Sequence, residues 1–394
     1  MKLGSLAALV FVVASVALLF VPSPMRLADD GGESLLARVV AVDDSDLRLA
    51  GVVEYGTQHL TVEMLAGPAS GRRFPAANEM RAQLDLDKKF AVGDVATVVW
   101  PANGVRPGET LVARDHYRLG WGAALFAGFV LLLVVFGGWT GLKAILSFVF
   151  SCLAVWKLLV PLCLDGQSAS LVSLATVLVL TAVIMFLVAG VTLKGASAFF
   201  GAMLGVGASL AMAGFFARVM HVNGATMPYV QSLLNSGYEN LDIADVFVGA
   251  IILASSGAVM DLAIDVASAV EEVARHNPRL GFGPLFRSGL RVGRSVVGTM
   301  TTTLLLAYSG GYLTLLMVFA AQGTRPLDFL NSTLVSAELV KTLVGSFGLV
   351  LVAPFTAVVS AGAFARRWRQ PSTAIDDDRG LSVPIDKTRQ GAHE

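Results

Sequence analysis

The chain has 394 residues, of which 55% are hydrophobic and 15% are charged, and its mean hydropathy is +0.69. Soluble domains carry about 25% charged residues, so this composition excludes an ordinary soluble protein and favours a membrane protein. Basic and acidic side chains both number 29, so the net charge is zero and no basic field favours a nucleic-acid partner.

Eight apolar segments are long enough to cross a bilayer, which takes about 20 mostly apolar residues in a helix. They cover residues 3–21, 121–138, 142–162, 171–191, 195–217, 244–264, 296–321 and 339–364. Only residues 139–141 separate the second segment from the third, which predicts a tight helical hairpin. We therefore predict a membrane α-helical bundle of about eight transmembrane helices, seven of them in a domain at residues 119–365.

The first apolar segment predicts a membrane anchor at residues 1–23. It follows Lys2 directly and runs for longer than the roughly 7–15 apolar residues of a usual signal peptide. No A-x-A cleavage site follows, so an uncleaved anchor is favoured over a cleaved signal peptide. At the other end, residues 366–394 contain three consecutive aspartates and little apolar content, which predicts a disordered tail.

A polar region at residues 34–117 separates the anchor from the bundle and shows the signals of β-strands. Val, Leu and Thr are frequent at residues 36–42, 52–55, 58–65, 95–100 and 111–117. Glycines at Gly56, Gly67 and Gly93 predict turns between them. Five or six short strands predict a small β-rich domain, with an OB-like barrel as one arrangement.

The distribution of Lys and Arg predicts the orientation in the membrane. With a cytoplasmic N-terminus, the cytoplasmic connections would hold Lys143, Lys194 and five arginines between residues 275 and 294. The opposite short loops would hold only Arg218 and Arg325. The positive-inside rule then places both termini in the cytoplasm and residues 34–117 outside it.

Two carboxylates occur on the sixth apolar segment, Asp261 and Asp265. Four residues apart on a helix, they share one face. Charge within a membrane segment is costly and marks a functional candidate. One reading is a protonatable Asp261 that faces the bundle interior, with Asp265 as a proton relay; the other is a pair of hydrated residues at headgroup level.

The seventh segment adds hydroxyl groups and a weak point in the helix. Thr299, Thr301 and Thr302 could line a polar path beside Asp261, or simply hydrogen-bond within helix packing. The adjacent Gly310 and Gly311 weaken a helix, and transporters use such breaks at binding sites. These residues complete the predicted proton, ion or substrate path.

Two further patterns concern the ends and sides of helices. Glu338 and Lys341 open the last segment three residues apart, where they could form an ion pair or merely mark the membrane boundary. In the fifth segment every fourth residue is small, which predicts close approach of another helix. We expect this stripe, comprising Ser197, Gly201, Gly205 and Ser209, to be a packing surface.

Ordered motifs in the second half of the chain closely resemble the YibE/F family of bacterial membrane proteins. The similarity is carried by residues 257–263, 277–278, 288–294, 298–300 and 306–311, and it continues at 338–340 and 345–350. Upstream, residues 37–39 and 92–95 fit the same pattern, so the resemblance covers about residues 35–363. It implies a multi-pass protein of the bacterial cytoplasmic membrane.

A weaker similarity links the region around Asp261 to the SecF half of the SecDF translocation factors, which belong to the proton-driven RND superfamily. It is carried by residues 261–272, Arg294, residues 299–303 and the Gly310-Gly311 pair. The chain departs from that pattern by having more helices after its soluble domain. This likeness is an analogy and does not establish function.

Three classes of function follow from these patterns. The first is a transporter or translocation-associated protein that is coupled to protons through Asp261. Its substrate would be a small solute, an ion or a protein. The second is a non-transporting scaffold or sensor whose extracytoplasmic domain binds a partner. An enzyme is disfavoured, because the chain lacks nucleophile-elbow, zinc-protease and Walker motifs.

The predicted partners are the lipid bilayer and either a second copy or an accessory subunit. The two cysteines, Cys152 and Cys163, have a spacing that fits no zinc, haem or redox motif. We therefore predict neither a cofactor nor a metal.

Overall fold

The computed structural model describes residues 16–18, 20, 32–84 and 86–367. Most of the predicted anchor at residues 1–23, and residues 368–394 of the predicted tail, lie outside the described residues. The described chain forms two compact units that divide between Leu142 and Lys143.

The first unit contains a small β-barrel. Its strands are β1 (Gly32–Asp43), β2 (Arg48–Ala50), β3 (Val53–Met64), β4 (Arg73–Arg81), β5 (Val95–Pro101) and β6 (Leu111–His116). They pair in the order β1-β5-β6-β4-β3-β2, and an additional antiparallel pairing of β1 with β3 closes the barrel. The β4–β6 pair is parallel, while the other strand pairs of the described barrel are antiparallel.

Alternating apolar residues fill the barrel, because successive side chains of a strand point to opposite faces. On β1 the buried positions are Leu35, Ala37 and Val39, and equivalent positions on β3, β5 and β6 complete the core. The small β-rich domain expected from the sequence is therefore confirmed.

In this domain one expected turn is wrong, and the strand β4 was not expected. Gly56 does not form a turn: it lies within β3 at φ +121°, where a Cβ would contact the carbonyl oxygen of Asp46. The segments at 52–55 and 58–65 are consequently one strand. The strand β4 was not predicted from the sequence, because it contains Pro75 and its apolar and polar residues alternate only weakly.

The remaining chain is helical. The helices are α1 (Leu119–Ala154), α2 (Val160–Leu164), α3 (Ala169–Val188), α4 (Leu193–Val219), α5 (Val230–Asn235), α6 (Ile243–His276), α7 (Phe282–Gly311), α8 (Leu313–Ala321), α9 (Pro326–Asn331) and α10 (Thr333–Arg367). A π-helical turn at Val155–Leu159 joins α1 to α2.

The helix α1 breaks at Gly138. The backbone there has φ 52° and ψ −127°, a conformation that only glycine adopts readily. A Cβ on Gly141 would contact the carbonyl oxygen of Leu133, so the chain turns sharply at this point. This turn lies beside residues 139–141, where the sequence predicted a tight connection.

The core of the second unit is built around α6, which packs against α3, α4, α7 and α10. Asp242 caps the start of α6 by accepting hydrogen bonds from the backbone N–H groups of Ala244 and Asp245, at 3.0 and 3.1 Å. Small and aliphatic residues from these helices form one continuous apolar cluster. Since neighbours cover α6 on most sides, only one strip of its surface is exposed.

Five helical segments of the described chain are long and apolar enough to cross a membrane, or six if a bent pair counts as one. They are Leu119–Leu164, Ala169–Val188, Leu193–Val219, Ile243–His276 and Thr333–Arg366, and the bent pair is α7 with α8. The chain is thus a multi-pass membrane protein. The predicted count of about eight is not confirmed, because segments 121–138 and 142–162 belong to one helical stretch and segment 3–21 is largely outside the described residues.

Candidate functional site

Asp261 and Asp265 both lie on the exposed strip of α6. The strip continues towards the start of the helix through Ala250, Ala254 and Gly257, which are also exposed. An inward-facing Asp261 was expected, and the structure places it outward instead. The physical reason is that Val259, Leu262 and their helix neighbours occupy the packed faces, which leaves the aspartates on the remaining one.

The threonines of α7 divide between two faces of that helix. Thr299 and Thr302 are exposed, and each hydroxyl donates to its own backbone, to Val296 O at 2.9 Å and to Gly298 O at 3.1 Å. The Thr301 hydroxyl is instead buried and has no hydrogen-bond partner among the described residues. Within residues 243–311 no hydrogen bond joins Asp261 to any of these threonines.

The packing of α7 on α6 nevertheless places Asp261 and the first of these threonines at a similar level along the two helices. A Cβ on Gly293 would lie 3.6 Å from Val266, and one on Gly289 would lie 2.9 Å from Val270. Continuing this antiparallel register by five residues brings Gly298 level with Asp261. Open space surrounds both Gly298 and Gly257, so no side chain of the described protein fills the surface beside the carboxylate.

The remaining predicted path residues lie at the opposite end of α7 and at the start of α10. Gly310 and Gly311 end α7, and the following helix α8 departs at an angle of 64°. Glu338 and Lys341 form an ion pair of 2.9 Å, and both side chains are about three-quarters buried. Glu338 and Lys341 thus pair with each other, and within the described chain no ion pair links either of them to Asp261.

The small stripe of α4 faces α10. Ser197, Gly201, Gly205 and Ser209 are all buried. A Cβ on Gly201 would collide with Thr356, and a Cβ on Gly348 of α10 would collide with Ser209. The two helices therefore approach at a distance that only small side chains permit.

A family profile described as YibE/F-like protein matches residues 125–366, which is more than half of the chain. The chain belongs to the YibE/F-like family. The resemblance seen in the sequence motifs is thereby confirmed, and the matched region coincides with the helical part of the structure. No curated protein and no solved structure matches the chain.

The barrel of this YibE/F-like protein contains a buried polar network that sequence reasoning missed. Gln58 and Asn78 are both fully buried. The Gln58 side chain donates to Phe90 O and accepts from Phe90 N, each at 3.0 Å, and it also accepts from Asn78 at 3.1 Å. Asn78 donates to Lys88 O at 2.6 Å, so the network holds the segment around residues 88–90 against the barrel.

Charged groups on the barrel surface are arranged as local pairs. A hydrogen bond from Gln58, and then one from Lys89, keeps the pKa of Asp44 below its usual value. Hydrogen bonds from backbone N–H groups, that of Arg81 first, lower the pKa of Asp87 in the same direction. Within the part of the chain that the structure describes, no cluster of three or more His, Cys, Asp or Glu side chains could hold a metal ion.

A second site that sequence reasoning missed lies where the end of α4 meets the starts of α3 and α6. A pocket there is lined by Arg218, His221, Asn223, Asp242 and Asp245 among other residues. The available signal was the pattern of polar residues at the ends of consecutive apolar segments of the YibE/F-like chain. Such residues are normally assigned to the membrane boundary, so the sequence did not show that they share one pocket.

Proposed function

We propose that this YibE/F-like protein is a transporter or translocation-associated protein that couples its work to proton movement through Asp261. The observation that supports the proposal most directly is a carboxylate on an exposed strip of an otherwise apolar membrane helix. A charged aspartate against lipid costs about 2.5–3.5 kcal/mol on insertion scales. The protein tolerates this cost where an apolar residue would avoid it, which favours a functional carboxylate.

The surroundings of Asp261 suit uptake and release of a proton. No Lys or Arg forms an ion pair with Asp261 among the described residues, so nothing fixes it in the charged form. Open space beside Gly257 and Gly298 leaves room for water or for a covering subunit. Asp265, one turn further along the same face, would relay the proton towards the arginine-rich end of α7.

The break between α7 and α8 would supply the moving part of this mechanism. Most of the packed contacts of α7 lie in its first half, where Leu285, Gly289 and Gly293 are buried. No residue of α8 is buried. A helix pair held firmly at one end and loosely at the other can change its bend at Gly310 and Gly311 while the core of α4, α6 and α10 stays fixed.

The test is infrared difference spectroscopy of the protein in proteoliposomes, recorded while the pH is changed. A carboxyl band that titrates in the parent and disappears in Asp261→Asn is expected, with a smaller effect for Asp265→Asn. Asp328→Asn, which removes an exposed carboxylate on α9, is the matched control. An identical band in the parent and Asp261→Asn would overturn the proposal.

A scaffold or sensor is the second candidate, and a specific observation favours it. The interface of α4 with α10 is packed so closely at Gly201, Gly205 and Gly348 that it leaves no room for a path between these two helices. As a scaffold or sensor, the protein would bind a partner through its barrel outside the cytoplasm, and the helical bundle would only anchor the barrel. The barrel's strand order, with a parallel pair between β4 and β6, corresponds to an OB-like arrangement, which serves binding in many proteins.

The location and partners complete the proposal. The Lys and Arg distribution supports a location in the bacterial cytoplasmic membrane with both termini in the cytoplasm. The predicted substrate is a small solute, an ion or a protein. A second copy or an accessory subunit is the predicted cover for the exposed strip of α6.

A further inference from the structure

A pocket of about 530 Å³ opens at the end of the bundle where α3, α4 and α6 meet. Its volume falls in the range of about 300–1,000 Å³ that is typical of small-molecule sites. It lies at the opposite end of α6 from Asp265, because its α6 residues belong to the first two turns of that helix. It is therefore separate from the strip on which the proton proposal rests.

The pocket is apolar at one end and polar at the other. Leu210, Gly214 and Ala217 of α4 and Val248 of α6 line its apolar part. Open space surrounds Gly214, so this wall leaves room for an occupant. From Leu210 to Arg218 the wall extends for about 12 Å along α4 at the helical rise of ~1.5 Å per residue. The shape suits a molecule with a polar head and an apolar tail.

The two acidic side chains of the pocket already have partners within the protein. Asp245 accepts hydrogen bonds from the Ser168 hydroxyl at 2.8 Å and from the Ser170 backbone N–H at 3.1 Å. Asp242 caps the start of α6. Their negative charges thus lie next to the positive ends of α3 and α6, which stabilise them without a ligand.

The two basic side chains of the pocket have no such partners. Among the residues that the structure describes, neither Arg218 nor His221 forms an ion pair or a side-chain hydrogen bond. His221 adopts a left-handed backbone conformation with φ 52°, which is unfavourable for a residue other than glycine. Nearby, a Cβ on Gly224 would lie 2.5 Å from Ile243 O, so this loop is fixed closely against α6.

We propose that this pocket binds an anionic amphiphile, whose head carries a net negative charge on a carboxylate or a phosphate. The head contacts Arg218, whose charge no acidic side chain of the described protein pairs, and it accepts a hydrogen bond from a ring nitrogen of His221, which has no side-chain partner there. The tail extends along Gly214 towards Leu210 and Val248. Arginine suits this role because its guanidinium binds carboxylate and phosphate oxygens in a bidentate manner. This binding proposal does not depend on proton exchange by Asp261.

Binding of two probes to the full-length protein in neutral detergent tests the proposal, with native mass spectrometry or calorimetry as readout. Decanoate represents a free anionic amphiphile, and phosphatidylglycerol represents a membrane lipid. Binding of either probe supports the shared chemistry, and the probe that binds more tightly identifies the source. Phosphatidylcholine, whose head has no net charge, should bind at least about tenfold more weakly than phosphatidylglycerol.

Two pairs of variants decide where the probe binds. Arg218→Gln removes the unpaired charge and should weaken binding about tenfold, whereas Arg325→Gln, which lies outside the pocket, should not. Gly214→Leu fills the pocket and should abolish binding, whereas Gly207→Leu on the exposed side of α4 should not. Thermal melting of each variant shows that it is folded. Binding that is unchanged in Arg218→Gln, or no binding of either probe to the parent, would refute the proposal.

Discussion

The contact between α4 and α10 gives the sharpest test of the packing, through the substitution Gly205→Leu. A Cβ at position 205 would lie 2.9 Å from the Cβ of Val352 and 3.2 Å from Cγ1 of Val259. Ordinary carbon–carbon contacts are about 3.5–4.0 Å, so even the first added carbon overlaps two neighbours. Both neighbours are β-branched and have little rotamer freedom, so they cannot move aside without a shift of the helix backbone.

The expected loss of stability follows from this overlap. Overpacking a closely packed core costs typically about 1–3 kcal/mol, and Leu adds three more carbons beyond the first. For a domain of this size about 1 kcal/mol lowers the melting temperature by roughly 2–4 °C, so the melting temperature of Gly205→Leu should fall by about 2–12 °C. Thermal unfolding of the purified protein in detergent, followed by tryptophan fluorescence, measures this change.

Gly207→Leu is the matched control, because Gly207 lies on the same helix but is exposed and has open space beside it. Replacing glycine within a helix by leucine favours the helix by up to about 1 kcal/mol, so this variant should melt at or slightly above the parent's temperature. The packing argument fails if Gly205→Leu melts at the same temperature as Gly207→Leu.

Three further predictions concern the barrel and the orientation of the bundle. Gln58→Leu should destabilise the barrel by about 1–3 kcal/mol for the buried Phe90 N–H, which it leaves without a hydrogen-bond partner, and Asn78 would keep only its bond to Lys88 O. Hydrogen exchange of the barrel amides in the full-length protein measures this loss. The pKa of Asp87 is lowered in the folded state, so the stability that its carboxylate contributes should be constant above the ordinary carboxyl pKa of about 3.9 and be lost as the pH falls through the folded pKa. Hydrogen-exchange protection of the loop around Asp87 that is equal above and below these two pKa values would contradict the lowered pKa. In a variant without native cysteines, a cysteine at Arg287 should resist an impermeant thiol reagent in intact cells, and labelling there would reverse the predicted topology.

The sequence alone indicated the class of the protein and much of its helical part. The length of an apolar run is a local property, so the long membrane helices could be located without knowledge of their neighbours. The small stripe of α4 could also be recognised, since a period of four residues places its members on one face of any helix. Ordered motifs between residues 257 and 350 likewise indicated the family, because each motif is a short local string of residues.

Other features depended on contacts between residues far apart in the sequence. The strand β4 contains a proline and a buried asparagine that become acceptable only when β3 and β6 pair with it and Gln58 accepts a hydrogen bond from Asn78. The number of crossings also resisted prediction, because hydropathy cannot distinguish a straight span from helices that bend at Gly138 or at Gly311.

The candidate sites show the same division. The sequence determined that Asp261 and Asp265 share one face of α6, because helical periodicity fixes that relation. Only the tertiary structure decided that this face is exposed, since α3, α4, α7 and α10 cover the other faces. Likewise Arg218 and Asp245 are each ordinary boundary residues in the sequence. They become parts of one pocket because α4 and α6 run in opposite directions and bring the end of α4 next to the start of α6, which no local pattern encodes.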